Sequence, residues 1–241
     1  MPLKSDFCLE KAGGIAETFL TAYQLLHLVG EVKSTDCVLV HAAGSGVGTS
    51  AIQLGIVHPN MVKCIWNTAF LECYEQIKAK LNGNKILATA GSQSKLEIAK
   101  SLGALEGVNY KEESFSKKFS NVDFILDCIG GSYWKDNMKV LAQDGKIILY
   151  GLLGGVKVEG PLLGMMLAKR AQIRASTLMS RSPDYKANLV NKFWTDHEAD
   201  FYNGNLYPLI DKTFLFTEIA DAHHYMAQNQ NCGKIILKNN F

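Results

Sequence analysis

The sequence of 241 residues lacks long apolar runs, and no stretch reaches the roughly eighteen apolar residues of a membrane-spanning helix. Its start, Met1 to Asp6, lacks the charged-then-apolar pattern of a secretory signal peptide. An excess of charge is also missing, since the formal net charge is +2. These absences predict no membrane span and no binding to nucleic acid or to an anionic membrane surface.

Closely spaced cysteine pairs are absent as well. None of the six cysteines belongs to a Cys-x-x-Cys pair. They are Cys8, Cys37, Cys64, Cys73, Cys128 and Cys232. We interpret them as free or buried thiols rather than disulfides or zinc ligands, so the expected location is the reducing cytoplasm.

What the sequence does contain is a glycine-rich segment, Cys37 to Leu54, around which the rest of the chain is organised. Its first four residues predict a buried strand. Gly44 to Gly48 then predict a turn, and the apolar residues up to Leu54 predict the buried face of a helix.

A strand, a glycine-rich turn and a helix in this order are typical of an anion-binding site. Glycines let the backbone approach a pyrophosphate, and the amides of the first helical turn point at it. We therefore predict that Ser45, Gly46 and Val47 bind a diphosphate. The six-residue fingerprint is not fully met, because Thr49 stands where a third glycine is expected, so the wider context must decide.

Short β-rich runs and helical patterns alternate along the rest of the chain. Helices are predicted at 15–29, 47–57, 61–81, 94–102, 133–141 and 218–228. Strands are predicted at 37–40, 85–90, 122–127, 146–150, 171–178, 206–214 and 234–238, with a short one ending near Tyr110. With 47% hydrophobic residues, this alternation predicts an α/β fold with a doubly wound, Rossmann-like parallel sheet.

Glycines or small polar residues follow four of the predicted strands. They are Gly44 with Gly46, Gly91 with Ser92, Gly130 with Gly131, and Gly151. Ligands of such sheets bind beyond the carboxyl ends of the strands, so the pattern predicts a nucleotide groove. The alternative is that these glycines only form tight turns.

Five segments resemble the quinone oxidoreductases of the zinc-free medium-chain dehydrogenase/reductase superfamily, especially the p53-inducible type. These segments are residues 20–26, 41–54, 89–93, 126–134 and 233–237. The resemblance covers nearly all of the chain except about 55–84. It implies a nicotinamide cofactor, no metal, and hydride transfer to a quinone or related acceptor.

Members of that family begin with a GroES-like catalytic domain and return to it at their C-terminal end. The resemblance therefore implies an NADP-binding domain at 1–204 and a C-terminal segment, 205–241, that packs on a catalytic domain missing from this sequence. Because the family's catalytic tyrosine would lie in the missing part, no residue here is assigned a catalytic role.

Residues 55–84 depart from the family as an insertion. The helix predicted at 61–81 would cap the sheet edge or form a homodimer through Trp66 and Phe70. The alternative is a tolerated surface insertion or an artefact of the coding prediction.

The end of the second predicted sheet strand favours NADP over NAD. An NAD site needs a carboxylate there for the ribose 2′-hydroxyl, whereas this sequence has Gly91 and Ser92. Ser92 can donate to a 2′-phosphate and Lys95 can neutralise it. The resemblance places Tyr110 near the same phosphate. Lys95 as a solvated lysine and Tyr110 as a packed edge aromatic remain alternatives.

By the same resemblance, Cys128, Gly130, Gly151 and Leu152 would flank the ribose and nicotinamide. Asp127 is interpreted as a cap at the end of a strand, and Cys128 by default as a core thiol.

Two further interpretations concern histidines. His41 is interpreted as structural, and the adjacent His223 and His224 as a partly exposed pair with poor geometry for one metal ion.

The function predicted from the sequence is an NADPH-dependent oxidoreductase that reduces a small quinone-like molecule. Two alternatives remain open, a non-catalytic NADPH-binding module and a fragment that does not fold stably.

Overall fold

The computed structural model describes residue 1, residues 3–56 and residues 85–239. The predicted helix at 61–81, and with it Trp66 and Phe70, lies outside the described residues. The same holds for all but the first two residues of the predicted insertion.

Six parallel strands form the main sheet, in the order β3-β2-β1-β4-β5-β6. Their bounds are Val38–Val40 (β1), Ile86–Ala90 (β2), Glu106–Asn109 (β3), Val122–Asp127 (β4), Leu141–Leu149 (β5) and Gln172–Ala175 (β6). This order confirms the predicted doubly wound, Rossmann-like sheet. The chain builds outward from β1 to β3, then crosses to β4 and builds outward to β6. The carboxyl ends of β1 and β4 therefore flank the switch point, where ligands of such sheets bind.

Helices flank the main sheet and the C-terminal strands. They are Leu9–Gly13 (α1), Ala16–Tyr23 (α2), Gly46–Ile56 (α3), Gln93–Ser101 (α4), Trp134–Val140 (α5), Leu162–Lys169 (α6), Pro183–Asn203 (α7) and Ile219–Ala227 (α8). A π-helical segment, Gln24–Val29, continues α2, so the helix predicted at 15–29 is present in two forms. No helix in the described ranges is long and apolar enough to cross a membrane.

The sequence analysis missed α7, the longest helix of the described residues, although both of its ends carry recognisable signals. The Ser182 side chain accepts a hydrogen bond from the Tyr185 amide, and Pro183 occupies the first helical turn. Gly204 follows the last turn. α7 packs Leu189, Phe193, Trp194 and Phe201 into the core.

Several predicted strand bounds differ from the structure. β5 begins at Leu141 rather than at 146, because Leu141 already pairs with Val122 before a register shift, after which pairing resumes at Lys146. β6 ends at Ala175 rather than at 178. The next predicted strand begins at Ile210 rather than at 206.

The sheet separates two hydrophobic clusters, and β1 shows how alternate side chains divide between them. Val38 and Val40 point into the cluster that contains Phe19, while Leu39 points into the cluster that contains Trp134. All three strand residues are buried, as expected for a central parallel strand covered on both faces.

The C-terminal part forms a separate two-stranded parallel sheet. Ile210–Leu215 (β7) pairs with Lys234–Lys238 (β8), and α8 connects them as a crossover. β8 agrees with the prediction at 234–238. Just before β8, Gly233 forms an isolated parallel bridge with Ser45, which brings this unit to the carboxyl end of β1.

Candidate functional site: the carboxyl edge of the parallel sheet

The glycine-rich turn joins β1 to α3 with a very close approach of helix and turn. A Cβ on Gly48 would lie 2.4 Å from the Ala42 carbonyl oxygen and 2.8 Å from the Ala43 Cα. Gly48 therefore provides the close packing that the fingerprint assigns to its third glycine, one residue before Thr49. The sequence analysis missed this role because it compared spacing rather than packing.

Ser45 caps the start of α3. Its Oγ accepts a hydrogen bond from the Gly48 amide at 3.0 Å, and its carbonyl accepts from the Thr49 amide at 2.9 Å. The amides of Gly46 and Val47 lie at the very start of the helix, where the macrodipole is positive. The three residues predicted to bind a diphosphate thus form one short helix start at the switch point.

The C-terminal segment covers part of this turn. The Gly233 amide donates to the Gly44 carbonyl at 2.8 Å. The Lys234 stem lies over Gly46, since a Cβ there would lie 2.8 Å from the Lys234 Cδ. Its ammonium contacts Glu17 at 3.3 Å. A cation therefore adjoins the predicted diphosphate position, which the sequence analysis did not identify.

The carboxyl end of β2 brings together most of the residues predicted for the 2′-phosphate. Ser92 caps α4 by accepting from the Lys95 amide at 3.3 Å. A Cβ on Gly91 would lie 2.6 Å from the Tyr110 hydroxyl oxygen and 3.4 Å from the Lys111 Cε. Lys111 was missed, although it directly follows Tyr110 in the sequence.

Lys95 and Lys111 lie close enough to influence one another. Partial burial is the main cause that lowers the pKa of Lys95, and the positive charge of Lys111 lowers it further. Cys232 and Asp211 oppose this shift. The two positive charges repel one another, and a bound anion near both would reduce this repulsion.

Lys95 also contacts the C-terminal segment. Its ammonium donates to the Asn229 backbone carbonyl at 2.8 Å and to the Asn229 Oδ1 at 2.9 Å. In this structure the Lys95 ammonium is therefore hydrogen-bonded within the chain.

The loops after β4 and β5 bring Cys128, Gly130, Gly151 and Leu152 together. The Leu153 amide donates to the Cys128 carbonyl at 3.0 Å, and a Cβ on Gly151 would lie 2.9 Å from that same oxygen. Gly130 has φ +78° and lies against Leu152, so a side chain at this position would be strained as well as crowded.

Two of these residues differ in exposure. Leu152 is 48% exposed at the groove, whereas Cys128 is buried. Burial raises the pKa of the Cys128 thiol to about 11, so the group is a neutral core thiol, as expected.

Asp127 ends β4 as a cap. Its Oδ1 accepts from the amides of Ile129 at 2.7 Å and Gly130 at 2.9 Å, and its Oδ2 accepts from the Asn137 side chain at 3.0 Å. The fully buried carboxylate thereby fixes the loop that would flank the ribose.

His41 extends the Asp127 network beneath the sheet edge. Because Asn137 donates its amide to Asp127, its Oδ1 accepts from His41 Nε2 at 2.7 Å. His41 Nδ1 then accepts from the Thr89 hydroxyl at 2.9 Å. The interpretation of His41 as structural agrees with this fully buried, hydrogen-bonded position.

We expect His41 to make the protein less stable in acid. Burial lowers the pKa of His41, although Asp127 and the Asn137 hydrogen bond act in the opposite direction. Below the ordinary histidine pKa of about 6.5, the unfolded chain binds a proton that the folded chain does not. The free energy of unfolding should therefore fall as pH falls through that value, by at most ~1.4 kcal/mol per pH unit from this group.

Urea unfolding at pH 7.5 and at pH 5.5 measures this effect. His41→Gln should show a smaller loss of stability between the two pH values than the parent protein. An equal loss in both proteins would contradict a histidine held neutral by burial.

Within the described ranges, no three His, Cys, Asp or Glu side chains are grouped so that they could hold a metal ion. His223 and His224 are exposed on α8, and the His224 Nε2 lies 2.6 Å from the Gln228 side-chain nitrogen.

Comparisons with known proteins agree with this fold. The mouse synaptic vesicle membrane protein VAT-1 homolog is 27% identical over 95% of this chain and 55% of its own length. Human quinone oxidoreductase is 26% identical over 98% of this chain and 64% of its own length. A crystal structure of an NAD-dependent alcohol dehydrogenase superposes with a TM-score of 0.74 at 29% identity, over 99% of this chain and 61% of that one.

The chain thus spans between 55% and 64% of the length of these curated relatives. The family model described as zinc-binding dehydrogenase matches residues 102–237, which is more than half of the chain. The resemblance to medium-chain dehydrogenases/reductases is confirmed, and the chain belongs to the zinc-binding dehydrogenase family.

Proposed function

We propose that this chain binds NADPH and serves as the nucleotide-binding part of an oxidoreductase that reduces a quinone or a related small acceptor. Residues 1–204 are the nucleotide-binding domain in this proposal, and 205–241 form a C-terminal segment that also belongs to the catalytic part. The observation that carries the proposal is the end of β2, where an NAD site would need a carboxylate and where the Tyr110 hydroxyl and the Lys111 side chain lie against Gly91 instead, with Lys95 in the first turn of the helix that follows.

The groups at this strand end fit a 2′-phosphate. Ser92 and Tyr110 supply hydroxyl groups, Lys111 supplies positive charge beside Gly91, and Lys95 supplies a second positive charge from the start of the next helix. A phosphate carries nearly two negative charges at neutral pH and would relieve the repulsion between the two lysines. The ribose hydroxyl of NADH offers no such gain.

The rest of the carboxyl edge of the parallel sheet fits the diphosphate, ribose and nicotinamide of the nucleotide. The helix start at Ser45, Gly46 and Val47 would hold the diphosphate, with Lys234 beside it. The paired loops with Cys128, Gly130, Gly151 and Leu152 would flank the ribose and nicotinamide. The cofactor, when bound, supplies the hydride, and the protein contributes binding, orientation and exclusion of water.

A non-catalytic NADPH-binding module is the second candidate. It is favoured by the state of the ionisable groups nearest the loops, since Asp127 and His41 are buried in one hydrogen-bonded network and Cys128 is a neutral thiol. Binding of NADPH without oxidation of NADPH by added quinones would support this candidate over the enzyme.

Nucleotide titration tests the phosphate site. We expect NADPH to bind more tightly than NADH, and Lys95→Ala or Lys111→Ala to weaken NADPH roughly tenfold or more, because a hydrogen bond to a charged group contributes about 1.5–3 kcal/mol. NADH binding should be unchanged in both variants. Isothermal titration calorimetry provides the dissociation constants.

Lys100→Ala is the matched control, since Lys100 is an exposed lysine on the same helix, α4. It should bind both nucleotides like the parent protein. Tighter binding of NADH than of NADPH by the parent, or equal weakening of both nucleotides in the Lys95 and Lys111 variants, would overturn the assignment of the phosphate site.

A further inference from the structure

Lys95 is held by a residue from a distant part of the chain. Asn229 is 134 positions away, and it binds the Lys95 ammonium through both its backbone carbonyl and its side-chain oxygen. Both acceptors are amide oxygens, so they fix the ammonium without neutralising its charge. An ammonium group has three protons, and two of them serve Asn229. The third remains for another acceptor.

The Lys95 stem is fixed as well. It lies across the glycine-rich turn, where a Cβ on Gly44 would come within 2.9–3.3 Å of the Lys95 Cδ, Cγ and Cβ. A lysine side chain in solution samples many rotamers, and ordering it on binding a ligand costs free energy. Here the stem and the ammonium are both ordered by contacts within the protein.

The turn that carries Asn229 is itself anchored. Its amide donates to the Met226 carbonyl at 2.9 Å, and its φ of +54° is a conformation that asparagine tolerates better than most residues. A few residues on, the Cys232 amide donates to Asp211 Oδ1 at 3.0 Å, and Gly233 bonds to Gly44. The turn is thus tied both to β7 and to the glycine-rich turn.

Asp211 is a carboxylate whose charge acts on Lys95, and both of its oxygens have hydrogen-bond partners. Oδ1 accepts from the Cys232 amide, and Oδ2 accepts from the Tyr225 hydroxyl at 2.9 Å. The carboxylate influences Lys95 through its charge, while the direct hydrogen bonds to the ammonium come from the neutral Asn229.

We propose that Asn229 is a positioning residue for cofactor selectivity, which holds the Lys95 ammonium in place for a 2′-phosphate. The inference rests on the proposed binding of NADPH and extends the phosphate site to the C-terminal segment. Selectivity for the phosphate then depends on a residue that does not itself touch the nucleotide.

Asn229→Gly tests the role of Asn229. Glycine accepts the positive φ and keeps the backbone carbonyl, while the side-chain oxygen is removed. We expect NADPH and adenosine 2′,5′-bisphosphate to bind roughly three- to tenfold more weakly, with NADH and 5′-AMP unchanged. Gln230→Gly is the control, because it adds similar backbone freedom to the same turn and leaves the contact with Lys95 in place; it should bind all four compounds normally.

The double variant with Lys95→Ala separates this inference from the proposed function. In the absence of the Lys95 ammonium, Asn229→Gly should have no further effect on NADPH binding. If Lys95→Ala leaves NADPH binding unchanged, the phosphate site itself is wrong. If Lys95→Ala weakens NADPH and Asn229→Gly does not, the phosphate site stands and the role of Asn229 is overturned.

Thermal unfolding of each variant accompanies the titrations. An Asn229→Gly variant that weakens NADH as much as NADPH has lost only a structural contact of the C-terminal segment, and this result also overturns the inference.

Discussion

Gly48→Ala is expected to lower the free energy of unfolding by about 3 kcal/mol, at the upper end of the range for overpacking a close contact. The new methyl group would lie 2.4 Å from the Ala42 carbonyl oxygen, 2.8 Å from the Ala43 Cα and 3.0 Å from the Ala43 carbonyl carbon. These are backbone atoms, so no flexible side chain can move aside. Helix α3 must shift away from the turn, and the helix start at Ser45 moves with it.

Urea unfolding of the parent and the variant measures the loss, and titration with NADPH measures the accompanying loss of binding. Gly164→Ala is the matched control. Gly164 lies in helix α6, and a Cβ there would meet no atom within 4 Å. Because alanine favours a helix more than glycine does, by roughly 0.8–1 kcal/mol, this control should be as stable as the parent or slightly more stable. Equal stability of both variants would contradict the close approach of α3 to the turn.

The region around Gly48 also shows how much of the fold could be predicted from the sequence. Strand, turn and helix were predictable there because a buried apolar run, a glycine cluster and a helical pattern follow one another within eighteen residues. The parallel, doubly wound sheet was predictable from the alternation of strands and helices, and the structure supplied the order of the strands. The role of Gly48 in the close packing of α3 on the turn could be recognised only from the interatomic distances in the structure.

α7 was missed for a different reason. Its composition is polar on average, so the apolar residues of its buried face, Leu189, Phe193, Trp194 and Phe201, stand out less than those of the predicted helices. The Ser182-Pro183 start and the Gly204 end were the better indicators. Local capping patterns would have predicted the helix where hydrophobic spacing did not.

The proposed phosphate site depends on contacts between distant segments, which a local sequence pattern cannot predict. Ser92 and Lys95 were predicted from their positions at the end of β2 and in the helix that follows, and Tyr110 from the family resemblance; the structure brings Tyr110 against Gly91 at the same strand end. The contact of Lys95 with Asn229 joins segments 134 residues apart. It arises because the C-terminal crossover unit folds back onto the glycine-rich turn, and the sequence of that unit alone indicates only two strands and a helix.

Asp127→Asn is expected to cost about 3 kcal/mol of stability and to weaken the binding of NADPH and NADH alike. Each oxygen of the buried carboxylate accepts at least one hydrogen bond, two from backbone amides and one from Asn137. An asparagine has a single acceptor oxygen, so its NH₂ group must face either the loop amides or the Asn137 amide as a second donor. A hydrogen bond to a charged group contributes about 1.5–3 kcal/mol, and a buried donor left without an acceptor costs about 1–3 kcal/mol.

The effect on binding should not distinguish the two nucleotides, in contrast to the variants at the end of β2. Asp127 fixes the amides of Ile129 and Gly130 in the loop that would flank the ribose and nicotinamide, and both nucleotides carry these groups. Urea unfolding and calorimetric titration measure the two losses. Glu97→Gln makes the same carboxylate-to-amide change at an exposed position of α4 and should alter stability by less than about 0.5 kcal/mol. If Asp127→Asn were as stable as Glu97→Gln and bound both nucleotides normally, the Asp127–Asn137–His41 network would have no part in shaping the site. Loss of NADPH binding alone would show instead that this network acts on the phosphate end of the groove.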